Sequence, residues 1–334
     1  MKRKPAAFFG LSVLLTALIL ISIMLGSADI SIGEIIRILS GKSEKNTIYQ
    51  IIYEIRLPRI LAAVFLGGAL SVSGFLLQTF FNNPIAGPFV LGISSGSKLF
   101  VAIAMIFLMG KGLLITSFGM VAAAFLGAML SMGFVMVISL KVKRMSLLVV
   151  CGIMIGYICS AVTDFLVTFA NDANIVNLHN WSQGSFSGIG WRDVVMIAVM
   201  VVMTVSFVFY LCKPIGAYQM GEAYARNMGV NIRLLRVLLV LLSSLLSATV
   251  TAFAGPISFV GLAVPHLVKT LVKSAKPKIL IPGCFLLGGI VTLFCDNIAR
   301  IAFAPTEVSI SSVTAILLVP VVILMLLKRQ GVRD

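Results

Sequence analysis

The sequence predicts an all-α membrane protein with about ten transmembrane helices. Of its 334 residues, 60% are hydrophobic and only 11% are charged, and the mean hydropathy is +1.11. A soluble domain could not bury so much apolar surface. Apolar runs of about 20 residues recur along the chain, and each can cross a hydrocarbon core of about 30 Å. We therefore expect residues 1–334 to form a single polytopic transmembrane domain, with no soluble domain attached.

The apolar runs give ten candidate spans in chain order. The first follows Met1-Lys-Arg-Lys4 and could pass for a signal peptide, but its apolar core is too long, so we interpret it as a retained span. The predicted spans are 8–28, 58–80, 92–110, 114–139, 146–170, 192–212, 234–254, 258–273, 279–299 and 309–327.

The loop charges predict that both termini are cytoplasmic. Ten spans place the two termini on one side, and the segments on that side then hold 17 of the 26 lysines and arginines. These cations lie in 2–4, 141–144, 213–236, 269–278 and 328–333. Positive loops stay inside, and the opposite orientation would export most of the positive charge. The net charge of +15 is spread over these loops and does not indicate a nucleic-acid partner.

Arginines mark the expected outer ends of two spans. Arg56 and Arg59 flank Pro58 at the start of the second span and can share one helix face. A helix N-terminus disfavours cations, so the pair indicates an acidic partner outside, although interfacial arginines are common at span ends. Arg300 follows Asp296 by four residues, and an ordinary local ion pair is the alternative there.

The segment 213–233 is the one sizeable cytoplasmic loop. Glu222, Ala223, Ala225 and Gly229 predict a short helix with a small face and a glycine at its C-terminal end. Small faces permit close approach by another protein, which favours a docking helix over an ordinary connector.

Two segments broken by proline and glycine are weakly similar in sequence: Asn83 to Gly92, and Gly255 to Leu262. Paired broken segments in two halves of a transporter often mark the substrate pathway. We expect the pathway to be lined partly by the span 58–80 and by 83–96. The candidate pathway residues are Gln78, Asn83, Pro84, Gly92, Gly96, Gly255 and Pro256.

Several kinds of site are not expected. Gly92 to Lys98 lacks the glycine spacing of a phosphate loop, so any ATP hydrolysis belongs to a partner. The five cysteines show no metal spacing, and we expect neither a metal nor a cofactor. We find no catalytic set on a plausible common face. Asp164 is the one carboxylate well inside an apolar run and would be the site of any proton coupling.

Together these residues resemble the FecCD-type permease family, the membrane subunit of bacterial iron-siderophore, haem and cobalamin ABC importers. The resemblance runs nearly the whole length. It rests on Arg56-Leu-Pro-Arg59, Gly67 to Gly74, Gln78, Asn83-Pro-Ile-Ala86, Leu91-Gly92, Trp181 to Gly184, Gly255 to Leu262, Pro265-His266, Asp296 to Arg300 and Glu307. Two departures from the family pattern are Val-Ser-Ile-Ser after Glu307 and Lys269 after Pro-His.

The resemblance implies a type II ABC importer permease that pairs with a second copy or a close homologue. It further implies two cytoplasmic ATP-binding subunits and an extracytoplasmic substrate-binding (lipo)protein. Arg56, Arg59 and Arg300 would dock that binding protein, and Glu222 to Gly229 would form the coupling helix. The leading expectation is import of a bulky metal chelate, first a ferric siderophore, with cobalamin or haem as alternatives. A proton-coupled secondary transporter is the hypothesis from a different class.

Overall fold

The structure is a computed structural model that describes residues 3–25, 33, 47–88, 92–108, 117–141, 145–304 and 306–330. Throughout these ranges the regular secondary structure is helical, without a strand. The helices are α1 (Arg3–Met24), α2 (Leu57–Phe80), α3 (Ile93–Ile103), α4 (Ser117–Lys141), α5 (Met145–Val167), α6 (Asp172–Ser182), α7 (Trp191–Tyr210), α8 (Cys212–Gln219), α9 (Glu222–Asn227), α10 (Ile232–Ala254), α11 (Val260–Val272), α12 (Pro277–Ile301) and α13 (Ile310–Gln330).

All ten predicted spans have a matching helix. Seven helices in the described ranges are long and apolar enough to cross a membrane, and the other three spans match the shorter apolar helices Ile93–Ile106, Val260–Val272 and Ile310–Leu324. The predicted all-α membrane fold is thus confirmed. Hydropathy did not reveal α6 or α8, because both are short and polar and lie between the spans.

Helix α2 is the centre of the bundle. It packs against α10, α11, α12 and α7. It belongs to a continuous helical segment of 34 residues, Thr47–Phe80. In the most apolar 18-residue stretch of this segment, 83% of the residues are buried. We call the end of the bundle at Arg59 the arginine end, and the end at Phe80 the loop end.

Small residues allow the helices around α2 to approach closely, as is typical of membrane helices. A Cβ on Gly67 would lie 2.6 Å from the carbonyl oxygen of Gly288 in α12. Hydroxyls connect α2 to α10, since Ser73 Oγ lies 2.6 Å from Ser247 Oγ and 3.0 Å from Ser243 Oγ. Glycine and serine on α2 therefore bring two neighbouring backbones against it.

The two broken segments meet beside α2. Helix α3 begins after Gly92 (φ +73°), and α11 begins after Phe259 (φ +64°), a backbone conformation that is uncommon for a bulky side chain. A Cβ on Gly261 would lie 2.7 Å from the Leu70 carbonyl oxygen and 3.1 Å from Pro88. The weak sequence similarity between the two segments thus corresponds to neighbouring positions in the fold.

Candidate functional site

Arg59 is the centre of a charge cluster at the arginine end. Its guanidinium donates to both carboxylate oxygens of Asp296, with distances of 2.8 to 3.2 Å, and to both oxygens of Glu307, at 2.7 and 3.2 Å. Arg59 and Asp296 are buried, whereas the Glu307 side chain is 40% exposed. One buried cation therefore binds a buried acid from α12 and a more accessible acid from the segment before α13.

Arg56 and Arg300 tie the end of α1 to this cluster. Arg56 donates to the carbonyl oxygens of Ile23 and Met24, and Arg300 donates to that of Ser22 at 3.0 Å. Carbonyls in the last turn of a helix lack helical partners and carry partial negative charge. The two arginines thus stabilise the C-terminal end of α1.

The helix N-terminus that the sequence argument assumes for these arginines is wrong, and both side chains are buried. Helical structure begins at Thr47 and passes through a π-helical turn, Ile51–Arg56, so Arg56 and Arg59 do not lie at a helix N-terminus. Their exposures are only 4% and 7%, so their charges do not face water. Pro58, which lacks an N–H, follows this π-helical turn. Docking of a binding protein by these arginines stays a prediction.

Asp296 pairs with Arg59 and not with Arg300, the partner that the local spacing suggests. The local ion pair with Arg300 does not form, because Asp296 accepts from Arg59, while Arg300 donates to Asn297 Oδ1 at 3.2 Å. Glu307, which the sequence marks as the acid before the last span and by its place in the family pattern, is the second acid that binds Arg59. Nothing local in the sequence links residue 59 to residues 296 and 307.

A cleft of about 400 Å³ opens beside the charge cluster. Its lining combines ionised groups with neutral polar groups from α6 and from the segment before α13. The lining residues are Arg59, Asp296, Glu307, His179, Asn180, Gln183, Gly184, Ser185, Ala299, Val308, Ser309 and Ile310. Sequence reasoning missed the α6 residues of this cleft, and the only signal for them was Trp181 to Gly184 in the family resemblance.

The predicted loop helix and its glycine end are present at the loop end. Gly229 has φ +80°, its N–H donates to the Arg226 carbonyl oxygen, and the N–H of Val230 donates to that of Ala225, both at 3.0 Å. This pair of bonds closes α9 as a Schellman motif. The glycine prediction is therefore confirmed as local structure.

The face of α9 that turns outward is not the predicted one. Ala225 is fully buried, so it packs inward, while Ala223 is exposed. The exposed apolar side chains around α9 are Met220 (71%), Tyr224 (45%) and Met228 (64%). Sequence reasoning missed these three, although large apolar residues in a polar loop were a usable signal.

An ion pair and hydrogen bonds hold this loop to the bundle. Glu222 forms an ion pair with Arg236 of α10, and the Tyr218 hydroxyl lies 3.3 Å from Glu222 Oε1 and 3.4 Å from the carbonyl oxygen of Phe80. Burial raises the pKa of Tyr218 above its ordinary value, so the hydroxyl remains protonated at neutral pH. The loop therefore contacts the end of α2 directly.

None of the seven candidate pathway residues lines the cleft beside the charge cluster. Gln78 is buried and its side-chain amide donates to the Leu262 carbonyl oxygen at 3.0 Å, while Asn83 Oδ1 accepts from the N–H of Ile85. Asn83 and Pro84 are half-buried. These contacts place Gln78 at the meeting point of α2 and α11.

The glycines of the candidate pathway set occupy tight packing positions. A Cβ on Gly92 would lie 2.9 Å from the Gly156 nitrogen in α5, and one on Gly96 would lie 2.6 Å from the Gly127 carbonyl oxygen in α4. Gly255 packs against the carbonyl oxygen of Trp181, and the Pro256 carbonyl oxygen accepts from Ser311. Close backbone packing explains these glycines, and a pathway role stays a prediction.

The structure also describes the candidate proton-coupling acid, the histidine, cysteine and acidic side chains that could bind a metal, and the segment that resembles a phosphate loop. Asp164 is exposed near the end of α5, and within the described part of the chain the acid that is buried in a span is Asp296, which pairs with Arg59. Among the described residues, no group of three histidine, cysteine or acidic side chains could hold a metal. Gly92 to Lys98 opens the membrane-type helix α3.

Comparison with models of known protein families shows to which family this chain belongs. The model of the FecCD transport family matches residues 14–328. The chain belongs to this family. Relatives include the vitamin B12 import system permease protein BtuC of Klebsiella pneumoniae, which is 34% identical over 99% of this chain and 96% of its own. The protein of the same name from Yersinia enterocolitica is 36% identical over 84% and 83%.

Solved structures agree with the family assignment. A structure described as an inward-facing conformation of a metal-chelate type ABC transporter has a TM-score of 0.85 and 28% identity, over 97% of this chain and 99% of that one. PsaBC from Streptococcus pneumoniae, solved with a Fab, has a TM-score of 0.53 at 16% identity, which is a likeness of fold only. The chain is thus a multi-pass FecCD permease with type II ABC importer architecture, and ATP hydrolysis lies in partner subunits.

Proposed function

We propose that this FecCD permease moves a bulky metal chelate into a bacterial cell by alternating access, as part of an assembly powered by two ATP-binding subunits. The supporting observation is the full-length likeness to a transporter described as metal-chelate type. A ferric siderophore is the first candidate. Cobalamin is the second, because the relatives at 34% and 36% identity are named vitamin B12 permeases. The proposal places both termini in the cytoplasm and the arginine end outside.

The test is uptake of radiolabelled ferric siderophore, haem and cobalamin by cells of the host bacterium that lack this gene. Restoring the wild-type gene should restore uptake of one chelate and leave the others unchanged. A Glu222→Arg permease that inserts into the membrane is the control for expression. Uptake that is driven by a proton gradient when ATP is exhausted would instead support a secondary transporter.

We also propose that the arginine end docks the substrate-binding protein, as the family resemblance implies for Arg56, Arg59 and Arg300. Support comes from the cluster of three cations beside a polar cleft, with Glu307 more accessible than Asp296. Since Arg56 and Arg59 stabilise the fold, their replacement would confuse docking with stability. Arg300 also donates to the Ser22 carbonyl oxygen, but it is half-buried where the other two are buried, so it is the better probe when melting of the variant is measured beside association.

The docking experiment measures the association rate of the chelate-loaded binding protein with permease in lipid. Arg300→Gln should slow association. Because a single ion pair near the surface is worth about 0–1 kcal/mol, the association rate should fall at most about fivefold. Added salt should reduce the difference between variant and wild type. The matched control is Arg192→Gln, an exposed arginine at the start of α7. Equal rates for all three proteins would refute docking through Arg300.

We further propose that α9 couples this permease to the ATP-binding subunits, with Glu222, Ala223, Ala225 and Gly229 shaping the helix. Its exposed Met220, Tyr224 and Met228 give an apolar surface that suits a groove on a partner. Contact between Tyr218 and the end of α2 gives a direct route from the loop into the bundle. The proposed pathway, around Gln78, Asn83, Pro84, Gly92, Gly96, Gly255 and Pro256, begins at that end of α2.

The coupling experiment replaces Met220 and Met228 with serine. The ATP-binding subunits should then co-purify less well, while the permease still inserts and melts as wild type does. The control is Met203→Ser, an exposed methionine on α7 away from the loop. Unchanged co-purification would leave 213–233 as an ordinary connector.

A further inference from the structure

A second large cleft lies at the loop end, apart from the charge cluster. It has a volume of about 560 Å³ and is formed where α7 ends and where α8 and α12 begin. Its lining consists of Phe209, Tyr210, Leu211, Cys212, Lys213, Pro214 and Lys278. Neither the arginine end nor the proposed coupling surface uses these residues.

Two lysines converge on this cleft without an acid to neutralise them. Helix α8 packs against the start of α12, since a Cβ on Gly216 would lie 3.6 Å from the Pro277 ring. This contact brings Lys213 and Lys278 to the same cleft. Within the described ranges neither lysine forms an ion pair, and the first turns of α8 and α12 contain no acidic residue. The cleft thus has an excess of positive charge.

Aromatic side chains place the cleft at the membrane–water boundary. Tyr210 is 80% exposed and Phe209 is 43% exposed in the last turn of a membrane-spanning helix, and Tyr210 stacks on Phe207. Aromatic rings at span ends lie at the level of lipid headgroups. The wall of the cleft is therefore apolar on the side of the spans and cationic on the side of the loop.

We propose that this cleft binds an anionic phospholipid, with the headgroup phosphate between Lys213 and Lys278 and an acyl chain along Phe209 and Tyr210. Basic pockets between membrane helices on the cytoplasmic side bind lipids of this charge, and each lysine near such a surface strengthens binding by about fivefold. The apolar side chains that we assign to ATPase docking lie elsewhere, on and beside α9. The inference does not depend on which chelate is carried.

Native mass spectrometry of the full-length permease tests this site, with titrations of phosphatidylglycerol and phosphatidylcholine. Wild type should bind phosphatidylglycerol more tightly. Lys213→Gln with Lys278→Gln should lose about tenfold to thirtyfold in affinity for phosphatidylglycerol alone. The matched control is Lys273→Gln with Lys276→Gln, two lysines of the neighbouring turn that do not line the cleft.

Three results would overturn the proposal. The double variant could keep the wild-type lipid preference. Inorganic phosphate could displace phosphatidylglycerol, which would indicate a site for small anions. The double variant could also lose co-purification of the ATP-binding subunits with lipid binding unchanged, which would make the cleft a protein contact.

Discussion

The two ends of α2 are held in opposite ways. At the arginine end, Arg59 makes five charged hydrogen bonds to two acids from distant parts of the chain. At the loop end, Phe80 and Thr79 make neutral contacts of 3.4 and 3.2 Å with Tyr218 and Gln219 of α8. Charge-assisted bonds are about twice as strong as neutral ones. One end of the central helix is thus held by charge-assisted bonds, and the other is held to the loop by neutral bonds alone.

This difference fits a transporter that is driven from the loop end. Motion that starts at α8 and α9 would break only weak contacts at the nearer end of α2, while the cluster around Arg59 would keep the far end in register. Four substitutions test this contrast, in order of decreasing expected effect.

Asp296→Asn should destabilise the permease most. It leaves the buried Arg59 with only the exposed Glu307 for charge compensation, and breaking a buried ion pair costs about 3–5 kcal/mol. Thermal unfolding of the purified permease in detergent measures the loss. Arg59→Leu with Asp296→Leu removes both charges and should lose less than Asp296→Asn alone. An Asp296→Asn protein as stable as wild type would mean that the arginine end is not fixed by charge.

Gly74→Ala tests the packing of α2 between its two ends. The added Cβ would lie 1.7 Å from the Gly261 carbonyl oxygen, so α11 must move away, at a cost of about 1–3 kcal/mol. Gly133→Ala in α4 is the matched control, because a Cβ there meets nothing within 4 Å. The control should be neutral or slightly more stable, since alanine favours helix. Equal melting of both variants would contradict the close contact with α11.

Tyr218→Phe removes the neutral contact at the loop end. A hydrogen bond of this kind contributes about 0.5–1.5 kcal/mol, and the length of 3.4 Å favours the lower value. Melting should therefore change little, and the sharper readout is chelate uptake per molecule of ATP hydrolysed. A large loss of stability would show that both ends of α2 are held equally firmly.

Glu307→Gln should have the smallest effect on stability. Its carboxylate is 40% exposed and shares Arg59 with Asp296, so the expected change in the free energy of unfolding is about 0–1 kcal/mol. The same melting experiment measures it beside Asp296→Asn. Equal losses for the two variants would mean that the exposed and the buried acid contribute alike.

The spans and the glycine end of α9 could be predicted because their causes are local. Hydropathy over about 20 residues identifies a span, and a helix that ends in a left-handed residue favours glycine at that position. The range predicted for the seventh span, 234–254, agrees with Ile232–Ala254 to within two residues, and the predicted end of the second span at residue 80 agrees with Phe80.

The charge cluster could not be predicted because its cause is tertiary. Arg59 and Asp296 are 237 residues apart, whereas the local rule pairs Asp296 with Arg300. The burial of Ala225 could not be predicted either, because a helix of six residues is too short for the sequence pattern to show which side is buried. Family resemblance named these residues without showing their contacts.

The short helix α11 has a consequence for how the protein is made. Its 13 residues rise only about 20 Å, which is less than the hydrocarbon thickness of about 30 Å. The unwound residues before it contain backbone groups that lipid cannot satisfy. The unwound residues Gly255 and Pro256 contact Trp181 and Ser311, and the first turn of α11 packs against Gly74 and Gln78 of α2. Helix α2 is made nearly 200 residues earlier, so this face of α2 has no α11 to pack against until the later part of the chain has been synthesised.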